Sequence, residues 1–339
     1  MRPKPTDLDL RGRILARERA SRRAEREEAL EQAGWRDVGE RGSVFGIKAV
    51  IVMATMLGRT AGRGLVAAIA AYYTVLSKPA NRATRQFRAH LGKETSKVDV
   101  YRHVRRFAQC ALDALFFMRG KTEFFHVTRN GHHHLAKLRD TGQGAILLGA
   151  HLGSFHAMRE QSGRESLPLY PVVFTKNARR FNQVLEELDP GSKVRLIEID
   201  SEGGRMGFML AIREKLEEGG LVAILGDRVQ PGAKAVKVEF LGEEAWLPAG
   251  PYVLAATLKA PVYFVAGIYR GKAEYELFCI PFAERVELPR GNRMEAIQAY
   301  AQSYADILAD FCKDAPDNWF NFYDFWAEPP GAAPPKDDL

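Results

Sequence analysis

Short apolar segments that alternate with segments of helical periodicity constrain the fold of this 339-residue chain most strongly. The run Ala145–Gly149 is wholly apolar and follows a glycine, which is typical of a central strand in a parallel sheet. Because the alternation continues over residues 120–326, we predict the α/β class, with a mixed, mainly parallel central sheet flanked by helices. The predicted strands are 145–149, 169–174, 194–199, 221–226, 236–241, 261–269 and 274–280. The predicted helices are 99–122, 131–139, 154–161, 178–187, 204–218, 249–259 and 293–312.

Composition bounds the class of protein. A 46% share of hydrophobic residues allows a sizeable core, and the net charge of +7 permits an anionic membrane surface or an acidic partner. The three cysteines form no CxxC pair, which is typical of a reducing compartment. The sequence lacks a GxGxxG or GxxxxGK[ST] loop and any nucleic-acid reading motif, so neither nucleotide nor nucleic-acid binding is predicted.

The N-terminal third changes character twice. Two apolar runs, Val44–Leu57 and Leu65–Leu76, are each shorter than the roughly 20 residues of a membrane span. We predict two short helices that lie in or dip into the membrane interface, and the alternative is a buried helical hairpin. No cleavable signal peptide is predicted. The expected organisation is a charged arm (1–43), an apolar membrane-associating segment (44–79), an α/β domain (80–326) and a disordered tail (327–339).

A basic cluster follows the apolar runs. Each lysine or arginine near an anionic membrane surface contributes about 1 kcal/mol of attraction. The cluster therefore favours membrane association of this part of the chain. Its members are Arg82, Arg85, Arg88, Lys93 and Lys97.

Two predicted strands end in polar residues. His151 follows the strand 145–149, and Asp227 and Arg228 follow the strand 221–226. Ligands and chemistry gather beyond the carboxyl ends of strands in open α/β sheets. His151 is therefore a candidate general base, or else a satisfied loop histidine. Arg228 is a candidate ligand for a phosphate or carboxylate, or else half of a surface Asp–Arg pair.

Other histidines invite a metal-site interpretation. His132–His134 are adjacent on a predicted helix, so their side chains point in different directions. His151 and His156 could hold zinc with a distant carboxylate, but the chain has no HExxH motif. We expect no metal and no other cofactor. A metal-dependent hydrolase remains an alternative.

Six aromatic side chains crowd the segment 318–326. Aromatic rings could form a wall for an acyl chain, an interfacial belt or ordinary core packing. The sequence leaves these three interpretations open.

The order of several motifs resembles a known family. The motifs are His151-Leu-Gly-Ser-Phe, Gly226-Asp-Arg, Val238-Glu-Phe-Leu-Gly242, Pro248-Ala-Gly250 and the aromatic C-terminal segment. Over roughly residues 35–326 this order resembles the lysophospholipid acyltransferase superfamily, in particular the bacterial lipid A biosynthesis (lauroyl/myristoyl) acyltransferase branch. Some relatives of that branch are linked to aryl polyene pathways. The resemblance implies a glycerol-3-phosphate acyltransferase-like fold.

The resemblance also implies a reaction and a site. The reaction is transfer of a fatty acyl group from a thioester of acyl carrier protein or coenzyme A to a hydroxyl of a lipid or glycolipid acceptor. Its expected location is the cytoplasmic face of a bacterial inner membrane. His151 would be the general base, helped by His156, and backbone N–H groups near Gly153 and Ser154 would bind the oxyanion. The expected substrate-binding residues are Gly153, Ser154, Asp227, Arg228, Phe240, Gly242, Pro248 and Gly250.

His156 departs from the family pattern, in which an acidic residue follows the histidine after four intervening positions. In a first explanation, His156 orients His151 while a carboxylate supplies negative charge from elsewhere; the candidates are Glu160, Glu165 and Asp227. In a second, the acceptor is easier to deprotonate than an ordinary alcohol. In a third, the protein is a catalytically weak or inactive homologue that binds acyl lipids.

Overall fold

The computed structural model describes residues 44–164, 167–173, 197–198, 204–230 and 232–329. The charged arm predicted over 1–43, the helix predicted at 178–187 and the tail from residue 330 onward lie outside these ranges.

Within these ranges helices and strands alternate along most of the chain. The helices are α1 (Val44–Leu76), α2 (Lys78–His90), α3 (Lys97–Met118), α4 (His132–Thr141), α5 (Phe155–Arg164), α6 (Gly204–Glu217), α7 (Gly250–Leu258) and α8 (Arg293–Asp314). The strands are β1 (His126–Asn130), β2 (Ala145–Gly149), β3 (Leu169–Val173), β4 (Ile197–Glu198), β5 (Leu221–Leu225), β6 (Ala235–Phe240), β7 (Glu243–Pro248), β8 (Val262–Gly271) and β9 (Glu274–Ala283).

Seven of these strands form one sheet in the order β1-β9-β8-β2-β5-β3-β4. All neighbours pair in parallel except β8 and β9, which are antiparallel. The α/β prediction with a mixed, mainly parallel sheet is therefore confirmed. The parallel order places the carboxyl ends of β2 and β5 side by side at the middle of the sheet.

Four elements, β1, β6, β7 and α2, differ from the sequence prediction, and β7 was not predicted as a strand. β6 does not join the main sheet but pairs with β7 in a separate antiparallel hairpin. β1 was not predicted, because it is an edge strand whose sequence, His-Val-Thr-Arg-Asn, is mostly polar and exposed. The helix α2 was not predicted either, because its buried positions are few and are spread among charged residues.

Alternate residues of the strands pack on opposite faces of the sheet, as the two-residue period of a strand requires. Ile146, Leu148 and Phe264 pack with α7 and α8. Leu147, Ala223 and Val265 pack with α4 and α5 on the other face. The sheet is therefore covered by helices on both faces, and its carboxyl edge is left for functional groups.

The 33 residues of α1 are two helical stretches joined by a kink at Gly58, close to where the sequence separates its two apolar runs. Gly58 interrupts α1 with φ 82° and ψ 173°, a conformation that strongly favours glycine. Directly after the break, Arg59 makes a two-pronged ion pair with Asp113 of α3, at 2.7 and 2.8 Å. The Tyr275 hydroxyl donates to the same carboxylate at 2.9 Å. This arginine is therefore neutralised inside the protein.

Part of α1 has the length and composition of a membrane span. Among the described residues, Val50–Leu76 is the single helical segment that passes this test, and 22% of its most apolar window is buried. Large apolar side chains of α1 are exposed, including Met56 at 77% and Val75 at 79%.

Candidate active site

The register of two parallel strands brings His151 and Asp227 together. Gly149 at the end of β2 lies opposite Leu225 at the end of β5. Each functional residue comes two positions beyond its strand, so the two side chains meet at the carboxyl edge of the sheet. The N–H of Gly226 donates to the carbonyl of Gly149 at 2.9 Å, which continues the pairing into the turn.

The Asp227 carboxylate binds His151 twice. Its Oδ1 lies 2.8 Å from the imidazole Nδ1, and its Oδ2 accepts the backbone N–H of His151 at 2.9 Å. An ionised carboxylate only accepts hydrogen bonds, so Nδ1 must carry the proton. In the neutral ring, Nε2 then has the free lone pair that a general base needs.

Burial and charge set the protonation states of this pair. The His151 side chain is 30% exposed, whereas that of Asp227 is 2% exposed. Burial and the positive charge of Arg228 hold the pKa of His151 below 6.5, although Asp227 acts in the opposite direction. The charge and hydrogen bonds of His151, with Arg228, lower the pKa of Asp227 to about 2 despite its burial. At neutral pH the pair is therefore a carboxylate beside a neutral imidazole.

A third donor reaches the same carboxylate from the aromatic segment. The indole Nε1–H of Trp319 donates to Asp227 Oδ2 at 3.1 Å, and Trp319 is fully buried. The residues on either side of Trp319 are hydrogen-bonded to the loop that contains His151. The N–H of Phe320 donates to the carbonyl of His151, and the N–H of Gly153 donates to the carbonyl of Asn318, both at 2.8 Å.

The backbone after His151 is occupied by these contacts. The Ser154 N–H donates to Gly267 O at 2.7 Å, and the Gly153 N–H is bound to Asn318 O. The expectation that these two N–H groups bind an oxyanion is therefore wrong for this conformation, because neither group is free. Their residues instead shape the loop: Gly153 has φ +67° and passes too close to Gly267 for any side chain. The hydroxyl of Ser154 caps α5 by accepting the Ala157 N–H at 3.2 Å.

Arg228 lies beside the pair rather than on an open surface. Its Nη2 donates to Phe320 O at 3.2 Å, and its guanidinium lies over the Tyr323 ring, 5.7 Å from the centroid. It is close enough to influence the pKa of both His151 and Asp227.

His156 is separate from this arrangement. Among the described residues no hydrogen bond joins it to His151, and its buried Nδ1 has no hydrogen-bond partner. Burial and the charge of Arg159 lower its pKa to about 4, so the ring is neutral at pH 7. The structure therefore gives the orienting position on His151 to Asp227, which the sequence had suggested as a substrate-binding residue or as a source of charge. Glu165 and the side chain of Glu160 lie outside the described part of the chain.

The other expected substrate-binding residues belong to the β6–β7 hairpin and its exit. Phe240 is buried and packs on Trp319, with ring centroids 5.3 Å apart. Gly242 forms the hairpin turn with φ +84°, Pro248 ends β7, and Gly250 begins α7. Phe240 thus packs against the Trp319 ring and helps to fix its position.

A narrow apolar slot runs across the sheet face beneath α4 and α5. It has a free volume of about 40 Å³. Its walls reach from β1 at the sheet edge to β3, and Phe155 at the start of α5 connects it with the His151 loop. The central lining residues are Leu147, Ala223, Val265, Leu277, Phe155 and Met158.

The adjacent histidines do not join the site. His132 and His133 are exposed in the first turn of α4. In the described ranges no three His, Cys, Asp or Glu side chains are grouped so that they could hold a metal ion.

Trp319 is the residue whose contact with the site the sequence did not predict. The segment 318–326 suggested a wall, a belt or core packing, and nothing in its composition points to a hydrogen bond with Asp227. Trp319 and Asp227, which this hydrogen bond joins, are 92 residues apart in the sequence.

Fold and site together define an α/β enzyme with a carboxylate-supported histidine at the edge of its sheet. The family of bacterial lipid A biosynthesis acyltransferases matches residues 40–327. The chain therefore belongs to this family, which confirms the resemblance seen in its motifs, and the family implies acyltransferase activity on lipid substrates, with an acyl donor and a lipid acceptor. A search of curated proteins found no match for the chain.

Proposed function

We propose that this protein transfers a fatty acyl group from an acyl thioester to a hydroxyl of a lipid or glycolipid acceptor, with His151 as general base. The observation that carries the proposal is the hydrogen bond between His151 Nδ1 and Asp227 Oδ1. It gives this chain an oriented imidazole even though the acidic position of the family pattern is occupied by His156. A weak or inactive homologue is accordingly the less favoured function.

The chemistry needs no nucleophile from the protein, because a thioester is already activated. His151 Nε2 takes the proton of the acceptor hydroxyl, whose oxygen attacks the thioester carbonyl. The tetrahedral intermediate collapses, the carbon–sulfur bond breaks, and the imidazolium returns the proton to the departing thiolate. Asp227 stabilises the imidazolium and keeps the ring in the correct tautomer without taking the proton itself.

Two neighbouring features suit the substrates. The slot beneath α5 is the proposed site of the acyl chain, since most of its lining is aliphatic or aromatic, with Arg129, Asn130 and His132 at the β1 end. Its volume of about 40 Å³ is smaller than a fatty acyl chain, so the slot would widen when the chain enters. Arg228 is the proposed partner of a phosphate, carried by the acceptor or by the phosphopantetheine arm of acyl carrier protein or coenzyme A.

Membrane association is part of the proposal. The exposed apolar side chains of α1 would enter the bilayer interface, and Arg82 and Arg85, which are exposed on α2, would face anionic headgroups. Arg88 was expected in the same basic cluster, but it is buried and paired with Asp99 and Asp317. We place the protein at the cytoplasmic face of a bacterial inner membrane, where thioester donors are available.

The test compares lipids by mass spectrometry. Cells with the wild-type protein should contain an acylated lipid that is missing from cells without it and from cells with His151→Ala. His133→Ala is the matched control, because His133 is exposed outside the site. An unchanged lipid profile in folded His151→Ala would refute the role of His151.

A further inference from the structure

The carboxylate of Asp227 is held by more than the histidine it serves. Oδ2 accepts two N–H groups, the backbone N–H of His151 at 2.9 Å and the indole N–H of Trp319 at 3.1 Å. Oδ1 is thereby directed to His151 Nδ1 at 2.8 Å. A carboxylate with one oxygen fixed by two donors cannot rotate away from its partner without breaking both bonds.

Trp319 is itself fixed on every side. Phe87 and Phe240 pack edge-on against its ring, with centroids at 4.9 and 5.3 Å. Its carbonyl oxygen lies 2.8 Å from His103 Nε2, and His103 Nδ1 lies 3.1 Å from the Thr84 hydroxyl. A carbonyl only accepts hydrogen bonds, so His103 donates from Nε2 and accepts from Thr84.

We propose that Trp319 is a positioning residue: its indole N–H fixes the Asp227 carboxylate, so that His151 is held as the Nδ1–H tautomer with Nε2 free to accept a proton. The inference rests on the proposed function for its catalytic consequence, but the tautomer itself is a property of the folded protein. His103 and Thr84 anchor Trp319 from α3 and α2.

The tautomer matters because only one of the two neutral forms is productive. With the proton on Nε2, the ring would present a donor to the acceptor hydroxyl and could not remove its proton. In the protease triad, a change that leaves the wrong tautomer lowers kcat by about 10⁴-fold. A substitution that only loosens the carboxylate should have a smaller effect.

The test uses full-length protein labelled with ¹⁵N-histidine, in which the imidazole nitrogen shifts report the tautomer. The signals of His151 are assigned from their loss in His151→Ala. Trp319→Phe removes the indole donor, and replacement of Trp319 by 3-benzothienylalanine removes it while keeping the volume of the side chain. Trp326→Phe is the matched control, because the indole of Trp326 donates to Phe240 O at 3.3 Å within the same aromatic segment.

In the wild type and in Trp326→Phe we expect His151 to be predominantly the Nδ1–H form. In both Trp319 variants the share of the Nδ1–H tautomer of His151 should fall. The kcat of acyl transfer from lauroyl-coenzyme A or lauroyl-acyl carrier protein should also fall about tenfold, with the KM for the lauroyl thioester unchanged. Folded Trp319 variants with the wild-type tautomer population would overturn the inference. A tautomer shift in a protein without transfer activity would instead refute the proposed function and leave the positioning role intact.

Discussion

The Asp227 carboxylate accepts two hydrogen bonds from His151, one from the imidazole Nδ1–H at 2.8 Å and one from the backbone N–H at 2.9 Å. His151 follows β2 and Asp227 follows β5, the neighbouring strand of the sheet. His151 thus has a carboxylate partner within this chain, although residue 156, the acidic position of the family pattern, is a histidine. A missing acidic residue in that motif therefore does not imply a missing carboxylate in the site.

Loss of the Asp227 charge should abolish most of the activity. Asp227→Asn keeps the size of the side chain but removes the charge and can stabilise the wrong tautomer of His151. We expect kcat to fall by roughly 10²- to 10⁴-fold, measured as acyl transfer from a lauroyl thioester. Asp324→Asn is the control, since Asp324 is exposed and binds Gln86 rather than the site. Equal activity of the two variants would contradict the assigned role of Asp227.

The pH dependence should report the ionisation of His151. Because its pKa lies below 6.5, the base is neutral and active at pH 7, and kcat/KM should decline only as the pH falls through that pKa. Arg228 lowers this pKa, so Arg228→Met should move the midpoint of the decline to higher pH, whatever it does to the plateau. The measurement is log kcat/KM against pH, with Arg82→Met as control. A midpoint that stays in place or moves to lower pH would exclude this electrostatic coupling.

Restoring the family's acidic residue should not help. His156→Glu would bury a carboxylate although Asp227 already holds the His151 ring, and no hydrogen bond joins His156 to His151 among the described residues. We expect transfer activity no higher than that of the wild type, with His156→Gln as the neutral control. An increase of about tenfold or more in His156→Glu alone would show that the pair lacks a charge that residue 156 could supply.

Membrane binding should depend on the exposed apolar face of α1. Met56 is 77% exposed there, and its burial in a bilayer contributes roughly 1.5–3 kcal/mol. Met56→Glu should therefore weaken co-flotation with vesicles of phosphatidylethanolamine and phosphatidylglycerol by at least about tenfold. Met206→Glu is a matched control, because Met206 is 70% exposed on α6, outside the apolar segment. Equal flotation of both variants would argue against α1 as the membrane contact.

The sequence predicted the strands that are buried on both faces and the histidine that follows one of them. Ala145–Gly149 and Leu221–Leu225 stand out because a central parallel strand must be apolar throughout. The edge strand β1 cannot be recognised in the sequence, because it is largely exposed to solvent and its residues are mostly polar. Periodicity therefore identifies the centre of this sheet better than its margins.

The hydrogen bonds that join Asp227 to His151 and Trp319 could not be predicted from the sequence. Asp227 lies 76 residues from His151 and 92 residues from Trp319, so its hydrogen bonds with both depend on the tertiary fold rather than on any local pattern. Asp227 could be suggested as a source of charge because it follows a strand. The hydrogen bond from Trp319 could not, because an indole in an aromatic-rich segment has the same composition whether it packs or donates.

Residues 318–320 also have a bearing on how the protein is made. A ribosome synthesises His151 and Asp227 well before Trp319, which follows Asp227 by 92 residues. Until that late stretch emerges, the loop after His151 lacks its two backbone partners and the carboxylate lacks its indole. A growing polypeptide that stops short of residue 318 therefore contains His151 and Asp227 without the indole and backbone groups that hold them in place.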